Sequence, residues 1–247
     1  MRIVGWVCAI AAGCSAGPVD LTTISDLRLV AAVAEPPEVA AGETYQLDVV
    51  LVDPQGRDVD VVVASCLPEG IEPPEGVDPC LVATPELVGD TASVELLAVL
   101  PAPVFVVACV DGSCRDPSEA QLRDPYGWLQ ELPLEGVAAG SRMTRITELP
   151  PEERHQNPVI GDAPPPELDP VAPEAVVPLA WVVPGAETAS GLTTAGAFGA
   201  VSVDVAEDGA VALDWYAPIE AGPAQLYVVV DDGLGGTAVW RGSASTR

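Results

Sequence analysis

Proline and glycine interrupt this chain so often that no long regular element fits between them: 26 prolines and 23 glycines fall among 247 residues. Proline fixes φ and lacks the N–H that a helix interior or a central strand needs. Glycine supplies the positive φ of tight turns. The runs between them are short and valine-rich, with 49% hydrophobic residues but only 4% aromatic ones. Valine's branched Cβ suits a pleated surface. Short β-branched runs separated by turn residues predict an all-β chain folded as β-sandwiches. The length allows one or two domains.

Period-two alternation is clearest at Tyr45, Leu47, Val49 and Leu51, which share one face opposite Gln46 and Asp48. Asp53-Pro54-Gln55-Gly56 then supplies a turn. Before this strand lie a run over 27–33 and the pair Pro36-Pro37, which belongs at an edge or turn. Strand, Pro37 to Gly42-Glu43, strand, Asp-Pro-x-Gly resembles the opening of bacterial immunoglobulin-like domains on surface proteins. Further strands are expected at 58–66, 91–100 and 103–110. A helical insertion over 118–132 is expected from the capping box Ser118 to Gln121 and from Asp124-Pro125. A strand around 142–148 would close the first sandwich.

Residues 149–170 read as a Pro-rich, semi-rigid linker. The second domain, 171–247, shows strands at 175–183, 200–205, 210–216, 224–230 and 237–243. Its ending, from Trp215 through Val228-Val229-Val230-Asp231-Asp232-Gly233 to Trp240, resembles the last strands of PKD- and cadherin-like modules. The fold class expected is therefore all-β: two tandem immunoglobulin-like sandwiches, 26–148 and 171–247, with a short helical insertion in the first. Together the halves, with Asn157-Pro158-Val159-Ile160 and the Val-Asp-Asp-Gly-x-Gly-Gly ending, resemble uncharacterised lipoproteins of myxobacterial type. That resemblance implies no activity.

At the N-terminus Arg2 precedes an apolar run from Ile3 to Ala12, which is the layout of a secretory signal, 1–13. The run is too short to span a bilayer, which takes roughly 20 residues. Ala11-Ala12-Gly13-Cys14 resembles the lipobox of bacterial lipoproteins. The resemblance implies that Cys14 is acylated and opens the mature chain, with residues 14–25 as a polar tether. Ser15 after the cysteine implies the outer membrane. With Cys8 removed and Cys14 acylated, Cys66, Cys80, Cys109 and Cys114 remain, an even number suited to two disulfides in an exported chain. Asp111-Gly112 predicts a two-residue hairpin that sets Cys109 beside Cys114, leaving Cys66 to Cys80. The rival is a long-range Cys66–Cys109 bridge. It is disfavoured because antiparallel strands at 58–66 and 103–110 would put those residues at opposite ends of the sheet.

Charge excludes one class of partner. The chain has 37 acidic and 10 basic residues, all ten of them arginine, for a formal charge of −27. Such a surface repels phosphate backbones, so no nucleic acid is expected. The membrane would be met through the lipid anchor, and an envelope protein or polysaccharide is the partner class expected. His155, the single histidine, falls in the polar linker, where a solvated imidazole cannot serve a triad. Asp231 and Asp232 are calcium candidates, with Asp204, Asp208 and Asp214 as neighbours that the fold could bring near; the competing reading of Asp231-Asp232-Gly233 is a plain turn. The chain is thus expected to be a non-catalytic binding or structural module of the cell envelope, without a cofactor. A calcium-dependent adhesion module is the alternative, and a carboxylate hydrolase the third.

Overall fold

The computed structural model of the chain describes residues 21–67, 71–73, 75–133 and 135–247. The expected signal peptide (1–13), Cys14 and residues 15–20 of the expected tether lie outside the described residues. The chain is all-β: two immunoglobulin-like sandwiches in tandem, the first carrying a helical insertion.

The first sandwich comprises β1 (Arg28–Glu35), β2 (Glu38–Val39), β3 (Thr44–Val52), β4 (Asp60–Cys66), β5 (Cys80–Ala83), β6 (Leu87–Val88), β7 (Thr91–Leu97), β8 (Pro103–Cys109), helices α1 (Glu119–Arg123) and α2 (Pro125–Glu131), β9 (Val137–Met143) and β10 (Arg145–Ile146). One sheet runs β1-β3-β7-β6 and the other β5-β4-β8-β9, while β10 lies parallel to β2. Between the sheets Leu47, Val49 and Leu51 of β3 meet Val61 and Val63 of β4 and Val104, Val106 and Ala108 of β8. The alternation at 45–51 thus points the expected residues inward. Each fully buried Val or Leu here stabilises the fold by about 1.5–3 kcal/mol relative to exposure.

The remaining face of β4 and β8 is also apolar, and the helices cover it. Val62, Val107, Cys109, Cys114 and Trp128 form one buried cluster. Ser118 caps α1 with both halves of a capping box: its side chain accepts from the Gln121 N–H, and the Gln121 side chain accepts from the Ser118 N–H. Asp124 accepts the Gly127 N–H at the start of α2. Helices of five and seven residues do not form alone in water, so burial of Trp128 holds them.

Cys109–Cys114 and Cys66–Cys80 are the disulfides, the latter between directly paired residues of β4 and β5. The route to the first differs from expectation. Cys109 pairs across the sheet with Val137, so Asp111-Gly112 does not join two strands. Gly112, at φ 76°, turns the chain back, with Asp111 accepting from the Ser113 N–H, and the Cys114 N–H donates to Cys109 Sγ. A turn-favouring pair marks the reversal, but tertiary contacts choose the partner strand. The strand placed around 142–148 instead occupies 137–143, with the separate β10 after it. Ala138, Ala139 and Gly140 show no alternation of large apolar residues.

The second sandwich comprises β11 (Val176–Val182), β12 (Thr188–Thr193), β13 (Ala197–Phe198), β14 (Ser202–Asp204), β15 (Ala210–Tyr216), β16 (Gly222–Asp231) and β17 (Thr237–Thr246). Its sheets run β11-β15-β13 and β14-β12-β16-β17. Trp181, Trp215 and Trp240 fill the space between them, Trp181 and Trp240 meeting edge to face at 5.3 Å between ring centroids. The central strand β12, Thr-Ala-Ser-Gly-Leu-Thr, has no counterpart in the sequence reading because Leu192 is its single large apolar residue and no alternation marks it. Gly191 explains the composition: a Cβ there would come within 2.6 Å of the Phe198 ring.

The segment expected to be a polar tether and the semi-rigid linker are both docked onto the sandwiches. Within residues 22–24, the Ile24 N–H donates to the Thr193 carbonyl and the Thr193 N–H to the Thr22 carbonyl, so this segment pairs in parallel alongside the end of β12 of the second sandwich before the chain enters the first. The linker, which contains a short 3-10 turn at Pro151–Glu153, also lies on the sandwiches. Gly161 exchanges backbone hydrogen bonds with Val182, and Leu168 and Val171 donate to the β17 carbonyls of Ser243 and Ser245. Unpaired strand edges attract any backbone that can reach them, which composition alone does not reveal.

Loop-closure entropy predicts that replacing both cysteines of a bridge by serine costs about 3 kcal/mol for Cys66–Cys80 and about 2 kcal/mol for Cys109–Cys114. Denaturant unfolding of the two double variants measures this, and non-reducing peptide mapping checks the pairing.

Candidate functional site at the domain junction

The two sandwiches meet face to face. Ala31, Val50 and Val52, on the side of β1 and β3 turned away from their own core, pack with Ile24 against Leu192 and Tyr227 of the second domain, flanked by Val229 and Val239. The unbroken apolar run Val49-Val50-Leu51-Val52 is buried on both faces for this reason.

Beside this seam lies a cleft of about 490 Å³, lined by both domains. β1 and β9 form one wall, and the β16–β17 hairpin forms the other. Arg142 crosses it, donating to the Ala32 carbonyl at 3.1 Å and to the Gly235 carbonyl. Burial lowers the Arg142 pKa from its ordinary value, and the charges of Tyr45, Asp231 and Asp232 oppose that shift. Arg145 pairs with Glu38 at 3.2 Å, and Glu38 also accepts the His155 N–H at 3.0 Å. The His155 ring meets the Asp232 carboxylate, which is almost wholly buried.

His155 is therefore an ordered linker residue, contrary to the solvated position expected from its Glu-Glu-Arg-His-Gln surroundings. Arg154 pairs with Glu43 and donates to the Leu149 carbonyl. The Asn157 side chain donates to the Ala34 carbonyl and accepts the Thr237 N–H. Residues 154–157 thus bind the edge of the first sandwich to the hairpin of the second.

The hairpin is shaped to present Asp232. Its Oδ1 accepts the N–H groups of Leu234 and Gly236, both at 2.8 Å. Gly235, at φ 93°, takes a backbone conformation that side chains disfavour. A Cβ on Gly236 would strike the Asp232 carboxylate and come within 3.1 Å of His155 Nε2. The Gly-Leu-Gly-Gly sequence lets the backbone wrap around a buried carboxylate. Burial raises the pKa of Asp232, but the hydrogen bonds from His155, Leu234 and Gly236 outweigh it and lower the net value.

The calcium candidates are committed elsewhere. Asp231 accepts from the Gly233 N–H at 2.7 Å and from the Thr237 hydroxyl, and both Asp232 oxygens are engaged as described. Asp204 and Asp231 pair with Thr188 from opposite sides of β12. Asp208 accepts its own turn's Ala210 N–H, and Asp214 belongs to the other sheet. Among the described residues no group of three or more His, Cys, Asp or Glu side chains could hold a metal ion. No hydroxyl or thiol among them hydrogen-bonds the His155 ring. Chemically, the junction links domains through charge-assisted hydrogen bonds.

A second ionic cluster lies within the first sandwich. Arg57 pairs with both Asp26 and Asp53, and Asp26 also accepts the N–H groups of Gly136 and Leu27. The Arg57 hydrogen bond, then these two, lower the Asp26 pKa from 3.8 to about 2.

No family model matches the chain, and no curated protein matches it. Among solved structures it is similar to the D0-D1 domain of intimin, at 11% identity over 87% of this chain and 98% of that one, with a TM-score of 0.28. The adhesin InvE of Yersinia pseudotuberculosis matches at 10% identity over 87% of this chain and 58% of its own, with a TM-score of 0.28. The Ig1-2 module of the Drosophila receptor tyrosine phosphatase DLAR matches at 12% identity over 90% and 99%, with a TM-score of 0.29. Scores of this size do not identify a common arrangement of the whole chain.

Asp232→Ala leaves the Leu234 and Gly236 N–H groups and His155 without their acceptor, and is expected to cost about 2–4 kcal/mol in denaturant unfolding. For Asp26 the folded pKa lies below the unfolded one, so its contribution is complete above the unfolded value. It is lost as pH falls from 3.8 towards about 2. As pH falls through that window the melting temperature should drop more for the unmodified protein than for Asp26→Asn.

Proposed function

We propose that this chain is a cell-envelope lipoprotein, anchored at the outer membrane through acylated Cys14, that acts as a rigid, non-catalytic binding or structural module. The observation that carries the reading is the junction. Tether, two sandwiches and linker are locked together, and the buried polar groups there are spent on holding domains in register. Relative motion of tandem domains is the default unless their interface is apolar and extensive, and here the seam is apolar. A stiff, strongly acidic body suits presentation of a fixed surface to an envelope protein or polysaccharide. The Ala-Ala-Gly-Cys ending supports the anchor, and acyl chains would hold the body without help from its surface charge.

Cys14→Ser is expected to move the protein from the detergent-soluble membrane fraction to the soluble fraction. Mass spectrometry of the mature wild-type chain should show an acylated N-terminal Cys14. An intact Met1 or a free Cys14 thiol there would overturn the anchored reading.

A further inference from the structure

We propose that the edge of the second sandwich formed by residues 21–24, β13 and β14 rests on the membrane surface and fixes how the anchored body stands on it. The inference rests on the acylation of Cys14 proposed above. Hydrogen-bond register locates the point where the tether joins the body. β16 pairs with β12 on one side along Thr188–Thr193, and β14 occupies the other side only from Thr188 to Ser190. Thr23 bridges Thr193 in parallel, so residues 22–24 take over that second side where β14 leaves it. Leu21 therefore falls in the gap beside Val201 and Ser202. The Thr22 hydroxyl accepts the Phe198 N–H at 2.9 Å, and the Thr23 hydroxyl donates to the Gly196 carbonyl at 2.7 Å. Both bonds fasten the same segment to β13 and the turn before it.

Apolar side chains gather at this point. Leu21, Val201, Tyr216 and Ile219 are 44–74% exposed. Tyr216 pairs with Ala197 of β13, and its ring lies over Gly199, where a Cβ would come within 3.1 Å of it. Ile219 follows Pro218, whose Cδ would lie 3.2 Å from a Cβ on Gly196. Exposed apolar residues occur elsewhere too, and the tether singles out this group. Cys14 lies seven residues before Leu21, so the tether reaches at most about 25 Å. Tethering makes the contact intramolecular, at an effective concentration of about millimolar. Four side chains that could not hold a membrane alone then suffice to set an orientation. Tyr216 suits headgroup depth, with an apolar ring and a polar tip. Arg28 donates to the Leu21 carbonyl at 3.3 Å and meets no carboxylate among the described residues, so one cation stands beside the tether in an acidic chain. In this stance β11, at the opposite edge of its sheet from β13, points away from the bilayer.

Acylated protein reconstituted into vesicles of phosphatidylcholine brominated on its acyl chains tests this with one added tryptophan. Val201→Trp reports on the proposed edge. Val159→Trp is the control, at a position 76% exposed in the linker, two residues from the Gly161 that pairs with Val182 of β11. Register places that pairing about 10 Å across the strands from β13 and about 20 Å along them. The body's own Trp128, Trp181, Trp215 and Trp240 are buried, and the unmodified protein sets the baseline. The emission of Val201→Trp should shift to the blue and be quenched by the brominated lipid, while that of Val159→Trp should do neither. If the protein floats with the vesicles and Val201→Trp is quenched no more than Val159→Trp, the stance is overturned while the anchor stands. A blue shift of Val201→Trp without quenching also overturns it, by giving the edge to another protein or a second copy. Protein that carries no acyl chain and does not float overturns the anchored reading, and the stance with it.

Discussion

Burial of Ala31, Val50 and Val52 against Leu192 and Tyr227 is the contact on which the other features of this molecule depend. It requires β3 to be apolar on both faces through its second half, which ties the first core to the junction. It also brings the hairpin at Asp232 within reach of residues 154–157, which could not otherwise touch both domains. Ile24 sits in the same seam, so the tether is held where the domains meet and not at a free end. Without that apolar contact the buried ion pairs would face water and contribute little.

The polar groups around the seam supply geometry more than energy. A buried carboxylate such as Asp232 is costly to desolvate, and its partners do little more than offset that cost. They do set one arrangement, because a shift of the hairpin by one residue would strand both Asp232 and Arg142. Apolar packing alone tolerates small slips between two flat sheet faces. The combination explains how a chain with few aromatic residues can hold two domains at a fixed angle.

The covering of sheet faces explains the helical insertion as well. Val61-Val62-Val63-Ala64 is buried throughout, which a one-sided sandwich strand does not require. The insertion between β8 and β9 provides the second cover, and Cys109–Cys114 turns the chain towards it. The apolar runs of β3 and β4 therefore each have a partner on both faces.

Much of this was legible in the amino-acid order. Proline and glycine spacing with valine-rich runs determined an all-β sandwich architecture, since no long helix survives such interruption. Local chemistry marked the capping box at Ser118 and the inward set Tyr45, Leu47, Val49 and Leu51. Long-range pairing was not legible. The strand Thr188–Thr193 has no alternating apolar signature, in part because Gly191 yields its place to the Phe198 ring. Asp111-Gly112 marks a reversal without naming the strand that follows. His155 lies among polar neighbours in the sequence, yet meets a carboxylate 77 residues away. Turn chemistry and alternation act over a few residues, so the chain itself encodes them. Which edge a tether joins, and which face a second domain covers, is settled only when two surfaces compete for the same water-free contact, and that competition exists only in the folded structure.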